Sequence, residues 1–267
     1  MQLLFDLHTH TTYSHGKGTV LDNARAGAAK GLITGISDHG AGHRFYGVQP
    51  RDVPSMRADI ASAEATLDCG AAVLGLEANL IGDGGKTDVE LSLGAEQTDY
   101  VLLGLHKGAG MAYTLPLMAQ SRVSPHIAME RLTDSLIAAL WDTRIAAITH
   151  PGLYVPVDMR RLCQACAVMG VALELSCRHP MSAENAKLAL DGGALFIIST
   201  DAHTPDAIGV FDNALHLAET AGIPDERIIN SSGFRGDGSA RIEGITALWN
   251  KLALNSGTAG PVSGGKQ

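Results

Sequence analysis

The sequence LLFDLHTHT, residues 3–11, contains both features on which the fold prediction depends. It begins with an apolar run, which predicts a buried β-strand, and it ends in His8, Thr9 and His10. Runs of this kind, apolar before a polar end, recur at residues 33–39, 72–78, 99–106, 145–150, 171–176 and 195–201. Nearly continuous apolar character is typical of parallel strands that are covered on both faces. An eighth short run, at residues 227–230, extends the series.

Segments with helical spacing lie between these runs. They are rich in Ala, Leu, Arg and Glu and cover residues 21–30, 55–68, 124–141, 157–169, 182–191, 206–221 and 239–254. This alternation predicts an α/β fold, either a barrel or an open doubly wound sheet. No linker interrupts residues 1–255, so we expect a single domain followed by a disordered tail at 256–267, which is rich in Gly and Ser. The sequence IGDGGK, residues 81–86, predicts a turn rather than a phosphate-binding loop.

Composition excludes several classes of protein. The 267 residues are 45% apolar, which is enough for one large core, and the formal net charge is −8. An acidic chain is a poor ligand for duplex nucleic acid, although bound cations can still attract an anionic substrate. No apolar run is long enough to cross a membrane, and no signal-peptide pattern is present, which predicts a cytoplasmic protein without a membrane partner. We interpret Cys69 and Cys177, and the pair Cys163 and Cys166 on one helix face, as reduced thiols. Composition does not indicate the oligomeric state.

The polar ends of the runs carry the candidate site. Residues that can bind metals end six of the predicted strands, and a further histidine follows in the loop after the first strand. They are His8, His10, His15, His39, Glu77, His106, His150, Asp201 and His203. One histidine after an apolar run is more often a hydrogen-bonded side chain than a ligand, and we interpret His126 and His216 in that way. Nine such residues at the same ends of the strands instead predict a metal centre, because these ends meet on one face of a barrel.

The residue types also indicate the kind of centre. Imidazole and carboxylate without thiolate suit Zn, Mn or Fe. His8 and His10 are two residues apart in a strand, so both rings project from the same face. Nine ligands exceed the coordination of one ion, and Glu77 is the candidate to bridge two ions, which a carboxylate can do at a separation of about 3.5–4 Å.

The chain contains, in order, the motifs DLHTHT, SHGKGT, ISDHG, GLEAN, GLHK, ITHPG and STDAH. These motifs resemble those of the PHP (polymerase and histidinol phosphatase) superfamily. The resemblance covers residues 3 to about 231. It implies a distorted (β/α)7 TIM-like barrel with three divalent metal ions. Carried over, it assigns His8, His10, Glu77 and Asp201 to one metal, Glu77, His106 and His150 to a second, and His15, His39 and His203 to a third. His15 stands where many relatives carry Asp, which is similar to the three-metal phosphatase branch.

The resemblance implies a metal-dependent hydrolase that cleaves phosphoesters, with a small phosphomonoester as the expected substrate. A hydroxide between two metals is the expected nucleophile, and we expect Glu77, Asp201 and His203 to be catalytic. Basic side chains that lie next to the predicted ligands or strand ends in the sequence are candidates to bind the phosphate. They are Lys17, Arg44, Lys107 and Arg178, and we favour Arg178 together with His179. The loop after the sixth strand reads Ser176-Cys177-Arg178, where the family often has an Asn-containing turn, so the family's contact from that loop is not carried over.

Three other functions stay open. An amidohydrolase-like enzyme that cleaves C–N bonds also uses an HxH motif, but no Lys that could be carboxylated ends a central strand. A 3′–5′ exonuclease acting on short oligonucleotides fits the PHP pattern, although the net charge of −8 is unfavourable for duplex binding. A non-catalytic metal-binding domain is disfavoured by the complete set of ligands.

Overall fold

The structure is a computed structural model and describes residues 1–67, 72–236, 240 and 241. Cys69 and the predicted tail at 256–267 lie outside the described residues, as does the predicted helix at 239–254 apart from positions 240 and 241. None of the described helices has the length and apolar character that a membrane-spanning helix needs.

Seven parallel strands form one sheet, in the order β1-β2-β3-β5-β6-β7-β8, and β4 pairs with β3 in the antiparallel direction. The strands are β1 (Phe5–Thr9), β2 (Ile33–Ile36), β3 (Ala72–Gly82), β4 (Lys86–Thr87), β5 (Tyr100–Gly104), β6 (Ile145–Ile148), β7 (Ala172–Ser176) and β8 (Leu195–Ser199). All seven predicted apolar runs therefore contain strands. The residues 83–85 form a 3₁₀ turn between β3 and β4, which confirms a turn in the IGDGGK sequence.

The sheet closes between β1 and β8 to give the distorted (β/α)7 barrel that was predicted. The amide of His10 donates to the carbonyl of Ala202 at 2.8 Å, and the amide of Ala202 donates to the carbonyl of His8 at 3.2 Å. The prediction of an eighth strand at 227–230 is wrong, because only Ile228 forms a bridge, to Phe196. A 3₁₀ helix, Asp225–Arg227, precedes it, and Asn230 contacts β1 and β8 through its side chain rather than through a strand ladder.

Eight α-helices lie among the described residues, most of them between consecutive strands. They are α1 (Val20–Ala28), α2 (Val53–Leu67), α3 (Val89–Leu93), α4 (Met111–Val123), α5 (Pro125–Ala139), α6 (Met159–Met169), α7 (Ala183–Asp191) and α8 (Asp212–Ala221). The sequence analysis missed α4, which contains Pro116 in its interior, a residue that normally disrupts helices. Pro125 begins α5, where a helix tolerates proline because its first N–H groups are unpaired.

Two hydrophobic clusters hold the barrel together, one between the sheet and the helices and one inside the sheet. Inside, the Tyr100 hydroxyl donates to the Leu7 carbonyl at 2.6 Å. Gly35 and Gly75 make this crossing possible, because a Cβ at either position would lie 2.0–2.2 Å from atoms of the Tyr100 side chain. The packed interior leaves the carboxyl ends of the strands as the open, polar face.

The described cysteines fit the interpretation as reduced thiols. Cys163, Cys166 and Cys177 are free, and Cys163 and Cys166 are buried on α6. Burial raises the pKa of the Cys166 and Cys177 thiols to about 12, so both stay protonated and weakly reactive at neutral pH.

Candidate metal centre

The nine predicted ligands all lie at the carboxyl ends of the strands or in the loops that follow them. His8, His10 and Glu77 are fully buried. The side chains of Asp201, His39, His106 and His150 are nearly so. His15 and His203 are the most accessible to solvent. The structure therefore brings these nine side chains together on one face of the barrel.

Glu77 lies at the centre of the group. Its Oε1 is 3.1 Å from His8 Nε2, 3.0 Å from His106 Nε2 and 3.1 Å from His150 Nε2. Its Oε2 is 2.9 Å from His39 Nδ1 and 3.5 Å from His10 Nε2. Because the two oxygens face different histidines, the carboxylate has the placement that a bridge between two ions requires.

The remaining ligands surround His10. Its Nε2 is 3.2 Å from Asp201 Oδ1 and 3.2 Å from His8 Nε2. Further out, His15 Nε2 and His203 Nε2 are 2.6 Å apart. Three groups of residues each have ligand atoms that all lie within 4.8 Å of one another. They are His8, His10 and Asp201; His39, Glu77 and His106; and His10, His15 and His39. His10 and His39 thus each lie close to two of the three predicted metal sets.

The chemistry of these atoms fits divalent cations. His106 Nε2 and His150 Nε2 are 3.2 Å apart, a distance at which two lone pairs repel unless a proton or a metal lies between them. His10 Nδ1 is buried and has no hydrogen-bond partner, and Glu77 Oε2 and His39 Nδ1, although 2.9 Å apart, are not aligned for a hydrogen bond. Burial is the main reason that the pKa falls to about 3 for His15 and about 4 for His203, with neighbouring histidines adding to the effect. Neutral imidazoles with converging lone pairs are what metal binding needs.

A ring of contacts behind the ligands orients the imidazoles. Glu174 Oε1 is 2.6 Å from His8 Nδ1, and Glu174 Oε2 accepts from the His150 amide at 2.8 Å. Asn79 Oδ1 lies 2.7 Å from His106 Nδ1. For His8 and His106 the outer oxygen accepts a hydrogen bond from Nδ1–H, which leaves the Nε2 lone pair facing the centre. The sequence analysis assigned Glu174 no role, although an acidic residue inside the apolar run 171–176 was a usable signal.

Backbone strain coincides with two of the ligands. Among the described residues, His150 (φ 42°) and Asp201 (φ 53°) are the non-glycine residues with positive φ. Such a conformation costs about 1–3 kcal/mol and persists only where the surroundings enforce it. Gly104 helps the rings to converge, because a Cβ there would lie 2.6 Å from His106 Cε1 and 2.9 Å from His150 Cε1.

The predicted substrate-binding residues differ in how close they come to the centre. His179 is nearest, with Nε2 3.7 Å from Asp201 Oδ2. Arg178, Arg44, Lys17 and Lys107 are exposed around it, and none of them forms an ion pair with a carboxylate that the structure describes. Arg44 lies against the rim, with its guanidinium 5.8 Å from the centre of the Phe45 ring.

Tyr46 is a rim residue that the sequence analysis missed. Its ring stacks on His15 at 4.4 Å and on His43 at 3.8 Å between centroids. From the GHRFYG sequence, residues 42–47, only Arg44 was predicted to be functional. The local sequence does not indicate that Tyr46 contacts His15, which belongs to another loop.

Comparison with known proteins gives the family. A scan against models of protein families finds no match. A probable phosphatase from Shewanella sediminis is 30% identical over 249 residues, which covers 87% of this chain and 91% of the relative. The chain belongs to the PHP superfamily of phosphoesterases. A probable phosphatase from Caldanaerobacter subterraneus subsp. tengcongensis is 27% identical, with 87% of this chain and 89% of the relative covered.

A solved structure agrees with the PHP barrel. It is the histidinol phosphate phosphatase of Lactococcus lactis, complexed with zinc, L-histidinol and phosphate. The TM-score is 0.61 at 13% identity, and the match covers 83% of this chain and 94% of that one. At this identity the likeness bears on the fold alone. The predictions of a PHP-type fold and of a metal-dependent phosphoesterase are confirmed.

Proposed function

We propose that the chain is a phosphomonoesterase of small molecules with three divalent metal ions, Zn, Mn or Fe. The observation that carries the proposal is the convergence of buried donor atoms on both oxygens of Glu77. In this proposal His8, His10, Glu77 and Asp201 hold one ion, Glu77, His106 and His150 a second, and His15, His39 and His203 a third. Bound divalent ions supply Lewis acidity and lower the pKa of water from about 15.7 toward 7.

The chain's own residues have separate tasks in this proposal. Glu77 would be shared by two ions, and Asp201 and His203 would complete the ligand sets beside the loops where a substrate must approach. Arg178 and His179 bind the phosphate. Burial lowers the pKa of His179, so it is neutral at pH 7 and serves as a hydrogen-bonding group. Arg178 is exposed and carries the positive charge that a dianionic phosphate requires. Lys17, Lys107 and Arg44 stay candidates for the same task.

The substrate side of the proposal is a small phosphorylated molecule, with no duplex nucleic acid and no membrane as partner. The single domain over 1–255 and the cytoplasmic location stay predictions of the sequence. A C–N hydrolase is the second candidate, because its chemistry can use the same histidines. The carboxylate of Glu77 lies between the histidine rings, where a C–N hydrolase of this kind would have a carboxylated Lys. This position of Glu77 favours the phosphoesterase.

The experiment begins with metal-free protein, prepared with a chelator and reloaded with Zn, Mn or Fe. We expect close to three ions per chain by elemental analysis, one for each of the three proposed ligand sets. Hydrolysis of p-nitrophenyl phosphate should return with the metal. A stoichiometry of one or less contradicts the three-metal centre, and cleavage of amides or lactones without phosphoesters favours the rival enzyme.

The Glu77→Gln variant tests the bridge. Glutamine keeps the shape of the side chain but removes the anion that the ions share. We expect weaker metal binding and a loss of activity of more than about 10²-fold, the low end for a single catalytic group. Glu219→Gln, on the exposed face of α8, is the matched control and should leave both quantities unchanged.

A further inference from the structure

A cleft of about 450 Å³ opens directly beside the metal centre. Its inner end is formed by His150 and His179, whose rings are 5.8 Å apart. From there it runs outward between the loop after β6 and the loop that leads from β7 into α7. A volume of this size matches a small organic group, since ligand pockets commonly measure about 300–1,000 Å³. A phosphate held at the centre would leave the rest of its ester in this cleft.

The wall combines apolar and polar surface. Leu153, Val157 and Met181 contribute side chains, and prolines at 151, 156 and 180 contribute rigid rings. The polar groups at the outer end are Ser182 and Asn185, both uncharged. Ser182 caps α7 by accepting from the Asn185 amide at 3.2 Å, so its hydroxyl oxygen is already engaged. The wall therefore suits an uncharged group that has both apolar and hydrogen-bonding parts.

The charged side chains in the wall of the cleft include no carboxylate. Not one of the twelve residues that line the cleft is Asp or Glu, whereas Arg178 is among them. Ser182 and Asn185 also place the amino-terminal end of α7 at the wall, and the dipole of a helix makes that end partly positive. A cationic group in this cleft would meet these positive charges with no carboxylate in the lining to pair with. Asp201, whose Oδ2 is 3.7 Å from His179 Nε2, belongs to the proposed metal centre, and Glu184, in the first turn of α7, is exposed and is not part of the lining.

We infer that the cleft selects phosphomonoesters whose alcohol part is uncharged, and that it discriminates against alcohols carrying an ammonium group. The inference rests on the proposed function and specifies its substrate class. It separates this chain from the Lactococcus lactis phosphatase, because L-histidinol, which that protein binds, is an amino alcohol with a cationic amine.

A matched pair of substrates tests the inference. The phosphate esters of 3-phenylpropan-1-ol and of 2-amino-3-phenylpropan-1-ol differ only in the ammonium group. With metal-loaded wild-type protein we expect kcat/KM to be at least about tenfold higher for the uncharged ester. The amino ester is the poorer substrate because its ammonium group comes close to the positive charges of the cleft. Equal values, or a preference for the ammonium ester, overturn the inference.

The Asn185→Asp variant locates the discrimination. Aspartate has the size of asparagine and is favoured near the start of a helix, so folding should be unaffected. We expect the preference for the uncharged ester to shrink at least about fivefold, since the ammonium group gains a carboxylate partner. Asn185→Gln is the matched control and should keep the wild-type preference. If Asn185→Asp leaves the ratio unchanged, the alcohol does not occupy this cleft and the inference falls.

Activity on p-nitrophenyl phosphate distinguishes the two proposals. If it is hydrolysed while both phenylpropyl esters are refused, the inference about the cleft is wrong and the proposed function stands. If no phosphomonoester is hydrolysed by metal-loaded protein, the proposed function itself is wrong.

Discussion

Glu174 shows how single residues behind the metal centre control the ligands. The carboxylate is buried and accepts from Ser199 Oγ at 2.5 Å in addition to its contacts with His8 Nδ1 and the His150 amide. Both oxygens accept hydrogen bonds, whereas glutamine, the uncharged side chain of the same size, can accept through only one oxygen. Glu174 therefore sets the tautomer of one ligand and holds the strained backbone of another.

The Glu174→Gln variant tests this role at the residue scale. The amide can accept through one oxygen only, so its NH₂ group must face either His8 Nδ1 or the His150 amide. We expect metal affinity to fall about 10–100-fold, the range for residues that support ligands. Competition with a chelator measures the affinity, and circular dichroism should show an unchanged fold. Glu184→Gln, exposed at the start of α7, is the control. Unchanged affinity in Glu174→Gln would show that its contacts do not orient the ligands.

At the scale of elements, Asp88 connects the β3–β4 hairpin to the loop after β2. Its Oδ1 accepts from the Asn79 amide at 2.7 Å, and its Oδ2 accepts from Asn79 Nδ2 at 2.5 Å and from the Gly42 amide at 2.7 Å. Burial raises the pKa of Asp88, and these hydrogen bonds oppose the rise. Because Asn79 in turn contacts His106, the hairpin, the loop and a ligand form one connected unit.

We expect Asp88→Ala to destabilise the protein through the donors that it leaves without an acceptor. An unsatisfied buried group costs about 1–3 kcal/mol, and three donors are affected, so the loss should be roughly 3 kcal/mol or more. Urea unfolding of the metal-free protein measures it without a contribution from metal binding. The control is Asp83→Ala in the same hairpin, whose ion pair with Arg131 is largely exposed and should contribute less than about 1 kcal/mol. Equal effects of the two substitutions would contradict this account.

For the whole molecule, one side chain near the end of the described chain joins β1 to β8. Asn230 is fully buried. It donates to the Phe5 carbonyl at 2.8 Å and the Ile198 carbonyl at 2.7 Å, and its Oδ1 accepts from the Ile198 amide at 3.0 Å. An amide with both donor and acceptor groups thus takes the place of the missing eighth strand between β1 and β8.

Asn230→Ala should lower the stability of the whole folded domain. The substitution leaves one amide and two carbonyl groups buried between β1 and β8 without partners, and we expect a loss of roughly 3 kcal/mol or more in the free energy of unfolding. Because β1 and β8 both carry ligands, metal affinity should fall as well. Denaturant unfolding and metal titration measure the two effects. The control Asn213→Ala removes one exposed contact, to the Cys177 carbonyl, and should change stability by less than about 0.5 kcal/mol. If Asn230→Ala matches this control, the barrel closes by other means.

The sequence alone determined the class of fold and the types of ligand. Nearly continuous apolar runs show burial on both faces, and this is a local property that can be read residue by residue. The ends of those runs indicated the nine candidate ligands, since parallel strands must bring their carboxyl ends to one face. Less local features were missed. Pro116 concealed α4, and the short run at 227–230 suggested a strand that does not form.

Only the tertiary structure decided which residues support the ligands and where a substrate's organic part can lie. Glu174 contacts a histidine 166 positions away in the sequence, and Asn230 contacts Phe5 from 225 positions away. Tyr46, Asn79 and the cleft beside His150 likewise depend on loops that are distant in sequence. Local patterns report whether a side chain is buried, but a hydrogen bond needs two atoms within about 3 Å of each other, a distance that only the closed barrel sets.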